Sequence, residues 1–279
     1  MRTSLFIFPG KSQSYYNVID DAVKTGFDAI ELYRACELIT PDMEKAKRIG
    51  TYAAEKGLSI SCISIGANLI QEDNSEEINR LKSYVDVAKA VGTTVLHHTL
   101  GSVMKHCNMG ISFEIAISHI VDSLIQLCDY AQERDITIVN ENQGFLTNGV
   151  EFFEELTGRL NYANYGLVAD VGNIFFVDQR PESFIGRFAP RIKHVHVKDY
   201  LYKPGGGLYP GEEWMMTREG NYLYNTVIGY GVIEFPKIFH ILKQSGYTGY
   251  FSMECGINEA LPQNLAKGLR NMKRYYEIC

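Results

Sequence analysis

Two textures alternate along the chain from end to end. Short apolar, β-branched runs are followed by longer segments in which apolar residues recur every three or four positions. The runs are Ser4–Phe8, Ala29–Tyr33, Ser59–Ile65, Thr93–His98, Thr137–Asn140, Gly166–Asp170, Ile192–Val197 and Tyr250–Glu254. They predict eight strands. Between them, Ile78, Leu81, Val85 and Ala88 share one helical face, as do Phe113, Ile117, Ile120, Leu124 and Cys128. Pro236 suits the first turn of a helix whose face is Ile238, Phe239 and Leu242. Three helix stops are legible in Lys24-Thr25-Gly26, Glu55-Lys56-Gly57 and Gln244-Ser245-Gly246, each ending in a glycine suited to a left-handed cap.

Strands alternating with helices imply parallel pairing through right-handed crossovers. Eight such units in 279 residues predict an α/β fold of the (β/α)8 TIM-barrel type. A doubly wound open sheet would want a glycine-rich phosphate turn after the first strand, and Pro9-Gly10-Lys11-Ser12 is not one. With no linker and no low-complexity tract, residues 1–279 read as a single TIM-barrel domain. The exception to the alternation is a long stretch after the seventh strand, from about Leu201 to Tyr230. It contains Gly205-Gly206-Gly207, Trp214, Met215 and Met216 and reads as an irregular loop over the barrel mouth. Trp214 is expected to cap a substrate, with burial against a second copy of the chain, a homo-oligomer, as the other option.

Composition narrows the partners. A chain with 46% hydrophobic and 22% charged residues has the make-up of a globular protein, and its length buries a large core without disulfides. The net charge of −6 offers no cationic density for a nucleic-acid backbone. The six cysteines show no paired spacing and read as free thiols of a reducing compartment. The first apolar stretch is too short for a signal or membrane span, so a cytoplasmic protein with no membrane partner is expected.

Active sites of barrels form where strands end at the carboxyl face. Four consecutive strands here end in a hard metal ligand: Glu141, Asp170, His196 and Glu254. A lone carboxylate there is more often a cap or a salt-bridge partner, because burying it unpaired is costly. Three converging on one mouth would repel one another unless a cation joined them. Three oxygens and one imidazole suit one divalent ion: Mn²⁺, Mg²⁺, Co²⁺ or catalytic Zn²⁺. Alternation puts His194, His196 and Lys198 on one strand face, with His194 one layer deeper, in an orienting or packing role. The fourth strand offers His97 and His98, which point opposite ways. Pattern does not decide which faces the barrel, and His98 is taken as a candidate substrate contact.

These residues carry a resemblance. Gly26-Phe27-Asp28-Ala29-Ile30-Glu31-Leu32, Glu141-Asn142, Asp170-Val171-Gly172-Asn173 and Ile192-Lys193-His194-Val195-His196-Val197-Lys198-Asp199 stand in the order seen in the xylose-isomerase-like barrel superfamily. So do Gly229-Tyr230-Gly231-Val232-Ile233-Glu234-Phe235 and Gly246-Tyr247-Thr248-Gly249-Tyr250 leading to Glu254. The chain is similar to the sugar phosphate isomerase/epimerase branch over nearly its whole length. The resemblance implies the metal roles of Glu141, Asp170, His196 and Glu254. It also implies a substrate-side place for Asn173, a site-facing Lys198, and Glu31 near the barrel mouth as a further substrate contact. Ketose epimerases of the superfamily place an arginine shortly after the seventh strand; here Tyr200-Leu201-Tyr202-Lys203 stands instead.

The expected activity is that of a metal-dependent isomerase or epimerase acting on a small sugar, sugar phosphate or polyol. Glu141 and Glu254 would exchange a proton beside a carbonyl, through an enediolate. One rival is a lyase like inosose dehydratase, working on a cyclic polyol ketone. Metal-dependent phosphodiester cleavage, as in apurinic-site endonucleases, wants a histidine-rich zinc cluster and a basic groove, against the acidic balance and seven histidines of this chain. A sugar-binding barrel without catalysis is the reading from another class, and barrel fold alone does not exclude it.

Overall fold

The computed structural model describes residues 1–8, 14–101, 111–256 and 260–279. Strands β1 (Arg2–Ile7), β2 (Ala29–Tyr33), β3 (Ser59–Ile65), β4 (Val95–His98), β5 (Thr137–Glu141), β6 (Tyr165–Asp170), β7 (Ile192–Val197) and β11 (Tyr250–Cys255) form a closed barrel. Every neighbouring pair is parallel, and β1 closes the ring against both β2 and β11. Each predicted strand is present, three with the predicted bounds and the others shifted by a residue or two at their ends.

The helices α1 (Tyr15–Thr25), α2 (Met43–Glu55), α3 (Ser75–Val91), α4 (Phe113–Gln132), α5 (Val150–Arg159), α6 (Pro181–Phe188), α7 (Phe235–Gln244) and α8 (Pro262–Glu277) alternate with those strands. Local chemistry sets their ends. The Asp42 side chain accepts from Lys45 N at 2.9 Å to start α2, a cap worth about 1 kcal/mol. Gly26, Gly57 and Gly246 take the left-handed conformation after their helices. The expected faces of α3 and α7 are buried, whereas Phe113, at the first position of α4, is exposed.

Strand alternation divides the core in two. On β1, Leu5 and Ile7 join the large apolar cluster shared with the helices. Ser4 and Phe6 turn inward, where Ser4 Oγ bonds Ser61 Oγ at 2.7 Å and the Phe6 ring lies 5.2 Å from that of His196. The interior is thus polar as well as apolar, with polar contacts that cross from strand to strand.

The stretch after β7 is not an irregular loop. It holds β8 (Asp199–Lys203), β9 (Met215–Met216) and β10 (Tyr222–Thr226), an antiparallel sheet with β10 in the middle. Its strands are short and mostly solvated, with a small core of Phe176, Tyr200 and Leu223, so they leave little apolar period to read. Asp199 ties the excursion back to the barrel. Its Oδ2 accepts from Gly229 N and Gly231 N at 2.9 and 2.8 Å, and its Oδ1 from Tyr200 N and Ile233 N at 2.9 and 3.3 Å. The Pro9–Ser12 segment and Cys107 lie outside the described residues. Among those described, no cysteine forms a disulfide and no helix is long and apolar enough to cross a membrane.

Candidate metal centre at the barrel mouth

The ends of β5, β6, β7 and β11 bring Glu141, Asp170, His196 and Glu254 together. Asp170 and His196 are directly opposed in the β6–β7 register. One ligand atom from each of the four residues lies within 4.8 Å of the others. His196 Nδ1 faces all three carboxylates, at 2.8 Å from Glu141 Oε1, 3.4 Å from Glu254 Oε2 and 3.8 Å from Asp170 Oδ2. Glu141, Asp170 and His196 are buried, and Glu254 is slightly open to solvent.

Lys198 follows the end of β7, and its Nζ lies 2.8 Å from both Asp170 Oδ2 and Glu254 Oε2. Those contacts are ion pairs without hydrogen-bond alignment, so both buried oxygens lack a hydrogen-bond partner. Unsatisfied buried carboxylate oxygens are costly, and here two of them converge on an imidazole nitrogen. Such a donor set fits a divalent cation, whose charge would offset the carboxylates and whose coordination would satisfy the orphaned oxygens. Burial alone would depress the Lys198 ammonium, yet Asp170 and Glu254 lift it well above its ordinary value. Burial likewise works against the imidazolium of His196, and Glu31 and Glu141 raise it well above the usual histidine range.

Asn173 links the cluster to the cavity. Its Nδ2 donates to Glu141 Oε1 at 3.1 Å, and its Oδ1 accepts from Lys198 Nζ at 3.1 Å. Asp170 Oδ1 accepts from the backbone of Gly172 and Asn173 at 2.8 and 2.7 Å, which holds the turn after β6. Beside this wall is a cavity of about 350 Å³. Asn173, Lys198 and Glu254 line it together with Gln143, Asn225 and Thr226, and Phe8, Phe176, Tyr200 and Met215 supply its apolar surface.

The other predicted contacts fall elsewhere. Glu31 is fully buried beneath the metal cluster and does not line the cavity. Burial alone would raise its carboxyl, but His196 and His194 hold it well below the usual carboxylate range. His194 lies one layer deeper, its Nε2 2.7 Å from Glu31 Oε2. His98 points away from the cluster, its Nδ1 donating to Thr99 O at 2.9 Å. The inward neighbour is His97, with Nε2 3.5 Å from Glu141 Oε2, and burial pushes its imidazole down to about 3. Trp214 packs on Tyr224, with ring centroids 5.4 Å apart, and it is Met215 that reaches the cavity. Sequence reasoning missed Gln143, Asn225, Thr226, Ser64 and Ser252. Ser252 follows inward alternation on its strand, a signal available in the sequence, whereas Ser64 lies past an irregularity in the β2–β3 register and Asn225 and Thr226 arrive through the unforeseen sheet.

Comparison with known proteins gives the family and the fold. Residues 19–275 match the family described as xylose isomerase-like TIM barrel. The curated protein inosose dehydratase 1 of Bacillus cereus is 24% identical over 273 residues, covering 95% of this chain and 89% of its own. A solved D-tagatose 3-epimerase-like protein superposes with a TM-score of 0.76 at 19% identity, over 100% of this chain and 98% of that one. The IOLI protein, solved with a binding zinc atom, superposes with a TM-score of 0.73 at 17% identity, over 98% and 96%. At these identities the structural likenesses speak for the fold alone.

Proposed function

This chain belongs to the xylose isomerase-like TIM barrel family, and we propose that it is a divalent-metal-dependent enzyme that removes a proton beside the carbonyl of a small sugar or polyol. The observation that carries this reading is the edge shared by Glu254 and Lys198, a carboxylate and an ammonium 2.8 Å apart that both open on one cavity. A cation held by Glu141, Asp170, His196 and Glu254 would supply fixed positive charge opposite the oxygen that gains charge as the proton leaves. Glu254 takes the carbon-bound proton. Lys198 and the Asn173 side chain, already bonded to each other, hold the substrate oxygens at the same edge. Gln143, Asn225 and Thr226 offer hydrogen bonds to hydroxyls, while Phe8, Phe176 and Tyr200 exclude water from the other side.

Two outcomes share that first step. Returning the proton to another carbon or face isomerises or epimerises the substrate. Passing a proton to a neighbouring hydroxyl and releasing water dehydrates it. A specific observation favours dehydration. Lys198 stands at the cavity as a proton donor, whereas Glu141, the second acid–base group that inversion requires, lies behind Asn173 and His196 and outside the lining. The curated relatives named inosose dehydratase support the same outcome.

The test is incubation of the Mn²⁺-loaded protein with inosose and with ketohexoses in D₂O, followed by mass spectrometry. A product lighter by one water supports dehydration. A product of unchanged skeleton carrying solvent deuterium supports isomerisation or epimerisation. Failure of every substrate to exchange or react, with and without the metal, overturns the proposal.

A further inference from the structure

Glu31 touches no part of the cavity, yet its carboxylate is saturated. Oε2 accepts from His194 Nε2 at 2.7 Å and Ser252 Oγ at 2.6 Å. Oε1 accepts from His196 Nε2 at 3.0 Å and from Ser64 Oγ. Four donors from β3, β7 and β11 thus fill the acceptor sites of one fully buried group from β2.

A saturated, ionised acceptor dictates where its partners keep their protons. Glu31 holds the His196 proton on Nε2, so a bound metal could displace a proton only from Nδ1, which faces Glu141 Oε1 at 2.8 Å. Ser64 spends its single hydroxyl proton on Glu31, so its Oγ can only accept from His97 Nδ1, 2.9 Å away. His97 is therefore protonated on Nδ1, and its Nε2 carries a bare lone pair. That nitrogen is buried, has no hydrogen-bond partner and lies 3.5 Å from Glu141 Oε2. Two acceptors that close and that dry are stable only beside a positive charge.

We propose that Glu31 is the positioning residue of the metal centre: directly at His196, and through Ser64 at His97, it fixes both imidazole tautomers so that Nδ1 of the first and Nε2 of the second face Glu141. The inference rests on the metal reading above and replaces the substrate contact expected of Glu31. The arrangement is a carboxylate–histidine pair set behind a metal ligand, and loss of such a partner typically weakens metal binding about 10- to 100-fold.

The experiment uses the full chain as wild type, Glu31→Gln and Ser64→Ala, each titrated with Zn²⁺ alone by calorimetry, with ¹⁵N spectra of the histidine rings taken before and after. Wild type is expected to bind Zn²⁺, to show His97 protonated on Nδ1 throughout, and to lose the Nδ1 proton of His196 on loading while keeping that on Nε2. Glu31→Gln should bind about 10- to 100-fold more weakly, with mixed tautomers at both rings. Ser64→Ala should stay close to wild type in affinity and lose the fixed tautomer at His97 alone. Unchanged affinity and unchanged tautomers in Glu31→Gln overturn the inference. Should Glu31→Gln fail to fold, a wild-type His97 protonated on Nε2 overturns it equally. A wild type that binds no metal sinks the metal reading instead, while the His97 tautomer of the metal-free protein still tests the role of Glu31.

Discussion

The Lys198 ammonium stands 2.8 Å from the Glu254 carboxylate, although the two arrive from different strands and face the same cavity. In the proposed reaction that proximity would divide the labour between a base and an acid, and the two roles separate by mutation. Glu254→Gln removes the base and should lower turnover about 10²- to 10⁴-fold with an unchanged circular dichroism spectrum. Lys198→Met keeps the base and removes the acid, so exchange of the substrate proton with D₂O should survive while water loss collapses. Equal loss of exchange and dehydration in Lys198→Met would show that Lys198 does not act as the acid.

The excursion that supplies Tyr200, Met215, Asn225 and Thr226 to the cavity hangs on Asp199, and this yields a structural prediction. A Cβ on Gly231 would lie 2.2 Å from Asp199 Oδ1 and 2.3 Å from Tyr200 O, so Gly231→Ala forces the clamp apart. Overpacking of this kind costs about 1–3 kcal/mol, to be read as a lower urea midpoint. Asp199→Asn should cost about 1–3 kcal/mol for each backbone N–H left unmatched, because an amide accepts on one side only. Both variants should also lose substrate affinity, since the displaced backbone carries cavity residues. Wild-type stability in Gly231→Ala would show that the clamp is slack.

Legibility in the sequence followed periodicity. The strands of the barrel and three of the helix stops stood out because each buried face repeats along its element and each of those stops is a glycine in the left-handed region. The four residues at the strand ends were visible because a carboxylate closing an apolar run is chemically anomalous. What stayed hidden depends on contacts that no local pattern encodes. His97 and His98 differ only in parity, and a four-residue strand gives too little alternation to set it. Glu31 looked like a residue of the barrel mouth, and its true depth follows from hydrogen bonds to strands far away in sequence. The sheet of β8, β9 and β10 has one small core and solvated strands, so its apolar signal was too thin to separate from a loop.

His98 carries the remaining prediction, one of stability against pH. Its ring is fully buried, and burial pushes its pKa down to about 4. In the unfolded chain a histidine titrates near 6.5. Between those values the unfolded state binds a proton that the folded state refuses, so stability rises with pH through this window. His98 thus costs nothing above about pH 6.5, and its penalty grows as pH falls, approaching about 3 kcal/mol by pH 4. In His98→Gln that penalty is absent, while His97, depressed in the same direction, remains in both proteins. Urea unfolding at steps from pH 7 to pH 4 should therefore show the wild type losing stability faster than the variant, so that the difference between the two curves moves in the variant's favour as acid is added. A constant gap between the curves would mean that His98 takes up its proton without unfolding, and that its burial does not control its charge.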